Sequence, residues 1–321
     1  MGTTPPKDQL SPKPDHDSRF WAVLIGIDGY LDTPQLSGCV ADANAMKEYL
    51  KGTLHVPNNH IECLLRPQDG ECIGKDPTRE NIINTLLALS TLKEKEKEIS
   101  NIIIYFAGHG SIYLNSDYYD EGTIQYYGSS LALCPSDRGT PDNNGNGTIH
   151  DIGDRLINDI LSEISEDVHI TVILDCCHSS GITQGIPGAI EPGEEKRKAP
   201  LSGDTNGQRH TTRLQSTLEA MFQFDKGGPK CGDFQNRISD NWVPKMGSHV
   251  LLAACQGYQQ AKEIKKEDVS RGVFTKALIE VLESKEWKEK ELKGKTRQSP
   301  LGNVRTHNFG PRRSRLKTAE G

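Results

Sequence analysis

The sequence predicts an α/β fold: a mainly parallel sheet of about six strands with helices on both faces. Three observations carry this. Apolar runs of strand length recur at Phe20–Ile27, Ile61–Leu65, 101–107, 168–174 and 248–255. They read as continuous Val, Ile and Leu rather than as alternation, as strands buried on both faces do. Segments with helical apolar spacing lie between them. Two of the runs also stop abruptly at residues that can do chemistry, and an open parallel sheet holds its ligands just beyond the carboxyl ends of its strands.

The chain has 321 residues, enough for one large α/β domain with extensions or for two small domains. Only 34% are hydrophobic, so part of the length is expected to lie outside a packed core. A net charge of −6 lacks the basic excess of a nucleic-acid binder, so nucleic acid is not expected as a partner. No apolar run approaches the roughly 18 residues that cross a bilayer, and no membrane partner is expected. Residues 1–18 are rich in proline and charge and read as a disordered leader, not a signal peptide. Pro6 stands where a myristoylation signal needs Ser or Thr. Eight cysteines have no regular spacing, which fits free thiols in a reducing cytoplasm or nucleus better than a disulfide scaffold. A monomer is expected.

The first strand, Phe20–Ile27, ends at Asp28-Gly-Tyr30. A loop through Leu36-Ser-Gly-Cys39-Val-Ala-Asp42 follows, with Asp42 placed to cap a helix that runs to Leu50. After a short strand at 61–65, Asp76-Pro-Thr opens a helix whose inner face is Ile82, Ile83, Leu86, Leu87 and Leu89. Strand 101–107 leads into Gly108-His109-Gly110. Residues 111–148 are tyrosine-rich and predict a hairpin or irregular strands. Ile149, Ile152, Leu156, Ile160 and Ile164 mark a helix over 151–164, and strand 168–174 delivers Asp175-Cys176-Cys177-His178. These elements make a large segment, 19–181. Residues 182–247, rich in Pro and Gly, read as a linker. A small segment at 248–284 adds a strand and an amphipathic helix to the same sheet. The basic tail 285–321 has little apolar content and is expected to pack poorly. No internal repeat is visible.

A thiol becomes a nucleophile when a neighbouring histidine takes its proton. His109 and Cys177 end two apolar strands 68 positions apart, and a cysteine and a histidine meeting in space from distant positions is the arrangement of a cysteine hydrolase. Alternation along the strand puts Asp175 and Cys177 on one side and Cys176 on the other, in packing. A strand-end cysteine alone is more often an inert core thiol, and a loop histidine more often ordinary. The pairing of the two ends reverses that balance. His178 points away from the nucleophile, and Cys176, Cys177 and His178 are too close in sequence to converge on zinc. The backbone N–H of Gly110, with that of Cys177, would form an oxyanion hole. Such donors are worth about 3–4 kcal/mol each.

The stretches Trp21-Ala-Val-Leu-Ile-Gly-Ile27, Leu36-Ser-Gly-Cys-Val-Ala-Asp-Ala43, Tyr105-Phe-Ala-Gly-His-Gly-Ser111, Asp175-Cys-Cys-His-Ser-Ser-Gly181 and Gly272-Val-Phe-Thr275 resemble the caspase-like peptidases, and within them the metacaspases. The resemblance covers residues 20–283 and implies a Cys-His dyad endopeptidase, with His109 and Cys177 as the dyad. Cys39, Asp42 and Asp175 then line the pocket for the residue before the scissile bond (P1). Two carboxylates there would accept Arg or Lys and reject Asp. The plainer alternatives are a helix cap for Asp42 and a turn hydrogen bond for Asp175. Lys196, Arg197, Lys198, Arg209 and Arg213 in the linker become self-cleavage candidates. Peptides or proteins with a basic P1 are the expected partners. The chemistry itself needs no cofactor, and the resemblance raises calcium as an activator. Asp142-x-Asn144-x-Asn146-Gly-x-Ile149-x-Asp151 has the first half of a calcium-loop spacing, yet Gly153 stands where the closing Glu belongs, and a plain turn explains it as well. Asn158 precedes Asp159 where the family often has paired acids. Ala107 replaces a frequent small hydroxyl residue. A weakly active or inactive caspase-like scaffold or regulatory protein is the alternative function.

Overall fold

The computed structural model describes residues 19–95, 99–114, 129–142, 147–164, 168–176, 247–254, 261, 263–266 and 269–284. In chain order the elements are β1 (Phe20–Ile27), α1 (Cys39–Gly52), β2 (Ile61–Arg66), β3 (Ile73–Gly74), α2 (Arg79–Lys95), β4 (Asn101–Ala107), β5 (Gly110–Leu114) and β6 (Ser129–Leu133). They continue with β7 (Ile152–Gly153), α3 (Asp154–Ile164), β8 (His169–Asp175), β9 (Val250–Ala253), β10 (Glu263–Lys266), β11 (Val269–Gly272) and α4 (Val273–Glu283).

Six strands form the main sheet in the order β3-β2-β1-β4-β8-β9. All pairings are parallel except that of the short edge strand β3. The expected mainly parallel sheet is therefore present, and β9 joins it from beyond the linker. The register sets Gly26 beside Ala107, and Ala107 beside Asp175. The chain leaves β1 to one side for β2 and returns to its other side for β4. This reversal opens the crevice at the carboxyl ends of β1 and β4 in which doubly wound sheets bind ligands.

Alternation along the strands sorts the helices. Ile25, Ile104, Phe106, Val172 and Leu174 come together with Ile82 and Leu86 of α2 and with Ile157 and Leu161 of α3. The residues between them face α1 and α4. At Gly26 the approach is so close that a Cβ would stand 2.8 Å from the Cys39 carbonyl oxygen. β1 and β4 are thus covered on both sides, which is why they read as unbroken apolar runs.

Three helix starts and one hairpin differ from expectation. α1 starts at Cys39, not at Asp42, because its cap comes from the end of β1: Asp28 accepts the N–H groups of Cys39 (2.8 Å) and Val40 (3.2 Å). α2 starts at Arg79, with Thr78 accepting the Asn81 N–H at 3.2 Å, while Asp76 turns to Arg66 and Ser136. Ile152 and Gly153 pair with β6, so α3 starts only at Asp154. The polar hairpin β10–β11 has no apolar alternation to announce it. The tyrosine-rich region does contain the expected antiparallel pair, β5 with β6. The leader 1–18, most of the linker (182–246) and the tail 285–321 lie outside the described residues.

Candidate active site

His109 follows β4 by two residues and is buried. Its backbone carbonyl accepts the Cys134 N–H at 3.1 Å. In an antiparallel ladder the reciprocal bond would run from the His109 N–H to the Cys134 carbonyl. The Tyr30 hydroxyl occupies that step instead, accepting the His109 N–H at 2.9 Å and donating to the Cys134 carbonyl at 3.3 Å. Burial above all, and then the neighbouring Cys134 and Cys39, hold the Tyr30 phenol well above its ordinary range, so it stays protonated and able to donate. The Tyr30 ring lies 4.8 Å from the imidazole, tilted by 55°. Gly108 is required by this approach, since a Cβ there would stand 2.7 Å from the Tyr30 oxygen.

The imidazole Nε2 donates to the Pro34 carbonyl at 2.7 Å. A carbonyl only accepts, so this contact fixes the tautomer and makes Nδ1 the basic nitrogen. One step along, Gly110 pairs with Leu133. With the 109–134 pair hydrogen-bonded, alternation turns the Gly110 N–H away from β6.

The three residues expected to line the pocket gather at the α1 N-terminus, the end of β8 and the β11–α4 junction. Cys39, Asp42 and Asp175 are all buried. Asp42 accepts the Arg271 Nε–H at 2.7 Å and the Gly272 N–H at 2.7 Å. Asp175 accepts the Thr275 hydroxyl at 2.7 Å and the Thr275 N–H at 3.2 Å. Tyr105 in turn donates to the Thr275 hydroxyl at 2.7 Å. One short stretch of chain, 271–275, therefore reaches both acids. Cys176 is buried and in no disulfide, as its side of the strand requires. Cys177 and the self-cleavage candidates Lys196, Arg197, Lys198, Arg209 and Arg213 lie outside the described residues.

A buried ion pair lies within electrostatic reach of Tyr30. Arg138 donates through Nε and Nη2 to Asp151 at 2.7 and 3.1 Å, and the Tyr113 hydroxyl donates to the same carboxylate at 2.7 Å. Both charged side chains have no exposed surface. Asp151 is thereby committed to Arg138 and not to a calcium loop. In the segment before it, the Asp142 N–H donates to the Gly147 carbonyl at 2.9 Å. Among the described residues no group of three or more His, Cys, Asp or Glu side chains could hold a metal ion. Asn144 and Asn146 of that spacing lie outside the described residues.

Sequence reasoning missed Tyr30, Pro34, Arg271 and Thr275. Tyr30 follows the first strand end by three positions, which was a usable signal. Pro34 acts through its carbonyl, which any residue would supply. No helix among the described residues is long and apolar enough to cross a membrane.

Residues 21–185 match the sequence profile of the metacaspase family's peptidase C14 domain. The chain is 28% identical to Metacaspase-6 of Arabidopsis thaliana over 185 residues, covering 58% of this chain and 44% of that protein. It is 23% identical to Metacaspase-1 of Saccharomyces cerevisiae (strain YJM789) over 304 residues, covering 87% of this chain and 65% of that one. Against Metacaspase-1 of Plasmodium falciparum identity is 30% over 162 residues, 49% of this chain and 23% of the other. The chain spans less than two thirds of the length of each of these relatives. With just over half of its 321 residues inside that family's peptidase domain, the chain belongs to the metacaspases.

Proposed function

We propose that the chain is a cysteine endopeptidase that cuts after Arg or Lys, with His109 and Cys177 as its dyad. The observation that carries this is the parallel pairing of β4 with β8, Ala107 beside Asp175: each catalytic residue follows its strand by two positions. The Pro34 contact supports the base role, because it leaves Nδ1 to take the thiol proton. The thiolate attacks the scissile carbonyl carbon, and the oxyanion is received by the N–H groups of Gly110 and Cys177. The imidazolium then returns its proton to the leaving amine. Water hydrolyses the thioester, with the same imidazole as base, and frees the thiol.

Asp42 and Asp175 select a basic P1 side chain. Arg has the advantage over Lys, since its fork can meet a carboxylate through two bonds. Lys196, Arg197, Lys198, Arg209 and Arg213 supply such residues within the chain, so the enzyme cuts itself in the linker. Calcium carries no step here and enters only as an activator.

The test is a panel of fluorogenic peptides with Arg, Lys, Asp or Asn at P1, given to wild type and Cys177→Ala, in calcium and in chelator. Turnover of Arg and Lys peptides that disappears in Cys177→Ala is expected, as are linker fragments in wild type alone. Absence of turnover under both conditions leaves the scaffold.

A further inference from the structure

The carboxylate assigned to a substrate's basic side chain already holds one from its own chain. We infer that Arg271 is an internal occupant of the P1 pocket, lying on Asp42 as a substrate arginine would, and that it must withdraw before a basic substrate seats. This rests on the proposed Arg/Lys specificity and adds to it a competitor built into the fold.

The contact is not an ordinary surface pair. Asp42 has no exposed surface, while the Arg271 side chain keeps 28% of its own. The buried partner is thus the acid, reached by a guanidinium that comes in from the solvent side. A substrate arginine would approach the same way.

The setting of Arg271 suits withdrawal of its side chain from Asp42. β11 pairs with β10 in a two-stranded sheet of its own and takes no part in the six-stranded ladder. It is tied to the α1 region by polar contacts: Ser37 with Ser270 at 2.9 Å, Arg271 with Asp42, and the Gly272 N–H with Asp42. The Ser37–Ser270 contact is exposed, so water can replace it at little cost. Exchange of one guanidinium for another on Asp42 conserves both charge and hydrogen bonding. The Gly272 N–H can stay in place throughout and keep the buried carboxylate satisfied.

The experiment compares wild type, Arg271→Ala and Arg271→Gln on Arg-P1 and Lys-P1 peptides. Gln keeps most of the stem and a neutral donor in case Ala fails to fold. Benzamidine binding is measured by calorimetry on Cys177→Ala with and without the Arg271 substitution, a readout that needs no turnover. The expected result is a KM for the Arg peptide lower by about tenfold or more, with a matching gain in benzamidine affinity, since the competing charge-assisted bond is gone. Hydrolysis by the Arg271 variants where wild type shows none supports the inference equally. Wild-type hydrolysis with KM and benzamidine affinity unchanged or worse in both variants overturns it and leaves the specificity standing. No basic-P1 hydrolysis by any of the three proteins overturns both.

Discussion

Tyr30→Phe tests how His109 is held. The substitution keeps the ring against the imidazole and removes one oxygen. Two buried groups lose their partner: the His109 N–H, now 2.9 Å from its acceptor, and the Cys134 carbonyl, which accepts at 3.3 Å. A buried N–H left without an acceptor costs about 1–3 kcal/mol, and the longer bond adds little, so the loss is about 2 kcal/mol. With a urea slope of about 3 kcal/mol/M, the unfolding midpoint falls by about 0.7 M. Function should suffer separately. The hydroxyl spaces the strand end that carries His109, and a misplacement near 1 Å can cost about 100-fold in rate. We expect kcat on an Arg-P1 peptide to fall by about 10- to 100-fold with KM nearly unchanged, because the acids proposed to receive P1 lie on other elements. Urea titration and steady-state kinetics read both effects. A midpoint within about 0.2 M of wild type, or full kcat in a destabilised variant, would refute the positioning argument.

Arg138→Met leaves the buried Asp151 carboxylate without its bidentate partner and should cost about 3–5 kcal/mol in urea unfolding; Arg138→Met with Asp151→Leu should cost less than the two single changes added together. Burial pushes the Asp154 carboxyl up to about 7 against hydrogen bonds from Leu131, Arg155 and its own backbone. Its folded value lies above its unfolded one, so stability is lost as pH rises from about 4 to 7, and Asp154→Asn should gain a few kcal/mol at pH 8 and nothing at pH 4. Burial pushes His249 down to about 4. Here the unfolded chain binds the extra proton, so stability is lost as pH falls from about 6.5 to 4, and His249→Asn should flatten that limb of the urea-midpoint profile.

The sheet was legible because strands covered on both faces have no polar alternation to dilute them. Ile102–Phe106 and Ile170–Leu174 announce themselves, and their ends name His109 and Cys177. What stayed hidden depends on partners distant in sequence. Asp42 has the chemistry of a helix cap, but Asp28, from the end of a strand, does that work and frees Asp42 for Arg271. β11 is Val-Ser-Arg-Gly, polar enough to pass for loop, and its partner, Glu-Ile-Lys-Lys, carries more charge still. The Pro34 carbonyl leaves no trace in side-chain chemistry. Asp151 sits in a passable calcium spacing, and only the fold reveals that Arg138 has claimed it.

The contacts that join the early and late parts of the chain bear on what a cut in between would do. Ser37 meets Ser270 across 233 positions, Asp42 meets Arg271 across 229, and Asp175 meets Thr275 across 100. β8 and β9 are bonded side by side from either side of the same interval. Severing the backbone anywhere within 182–246 removes none of these bonds. A nicked molecule should therefore elute from a sizing column as a single particle and fall into two pieces only in detergent, its halves clasped without a covalent link.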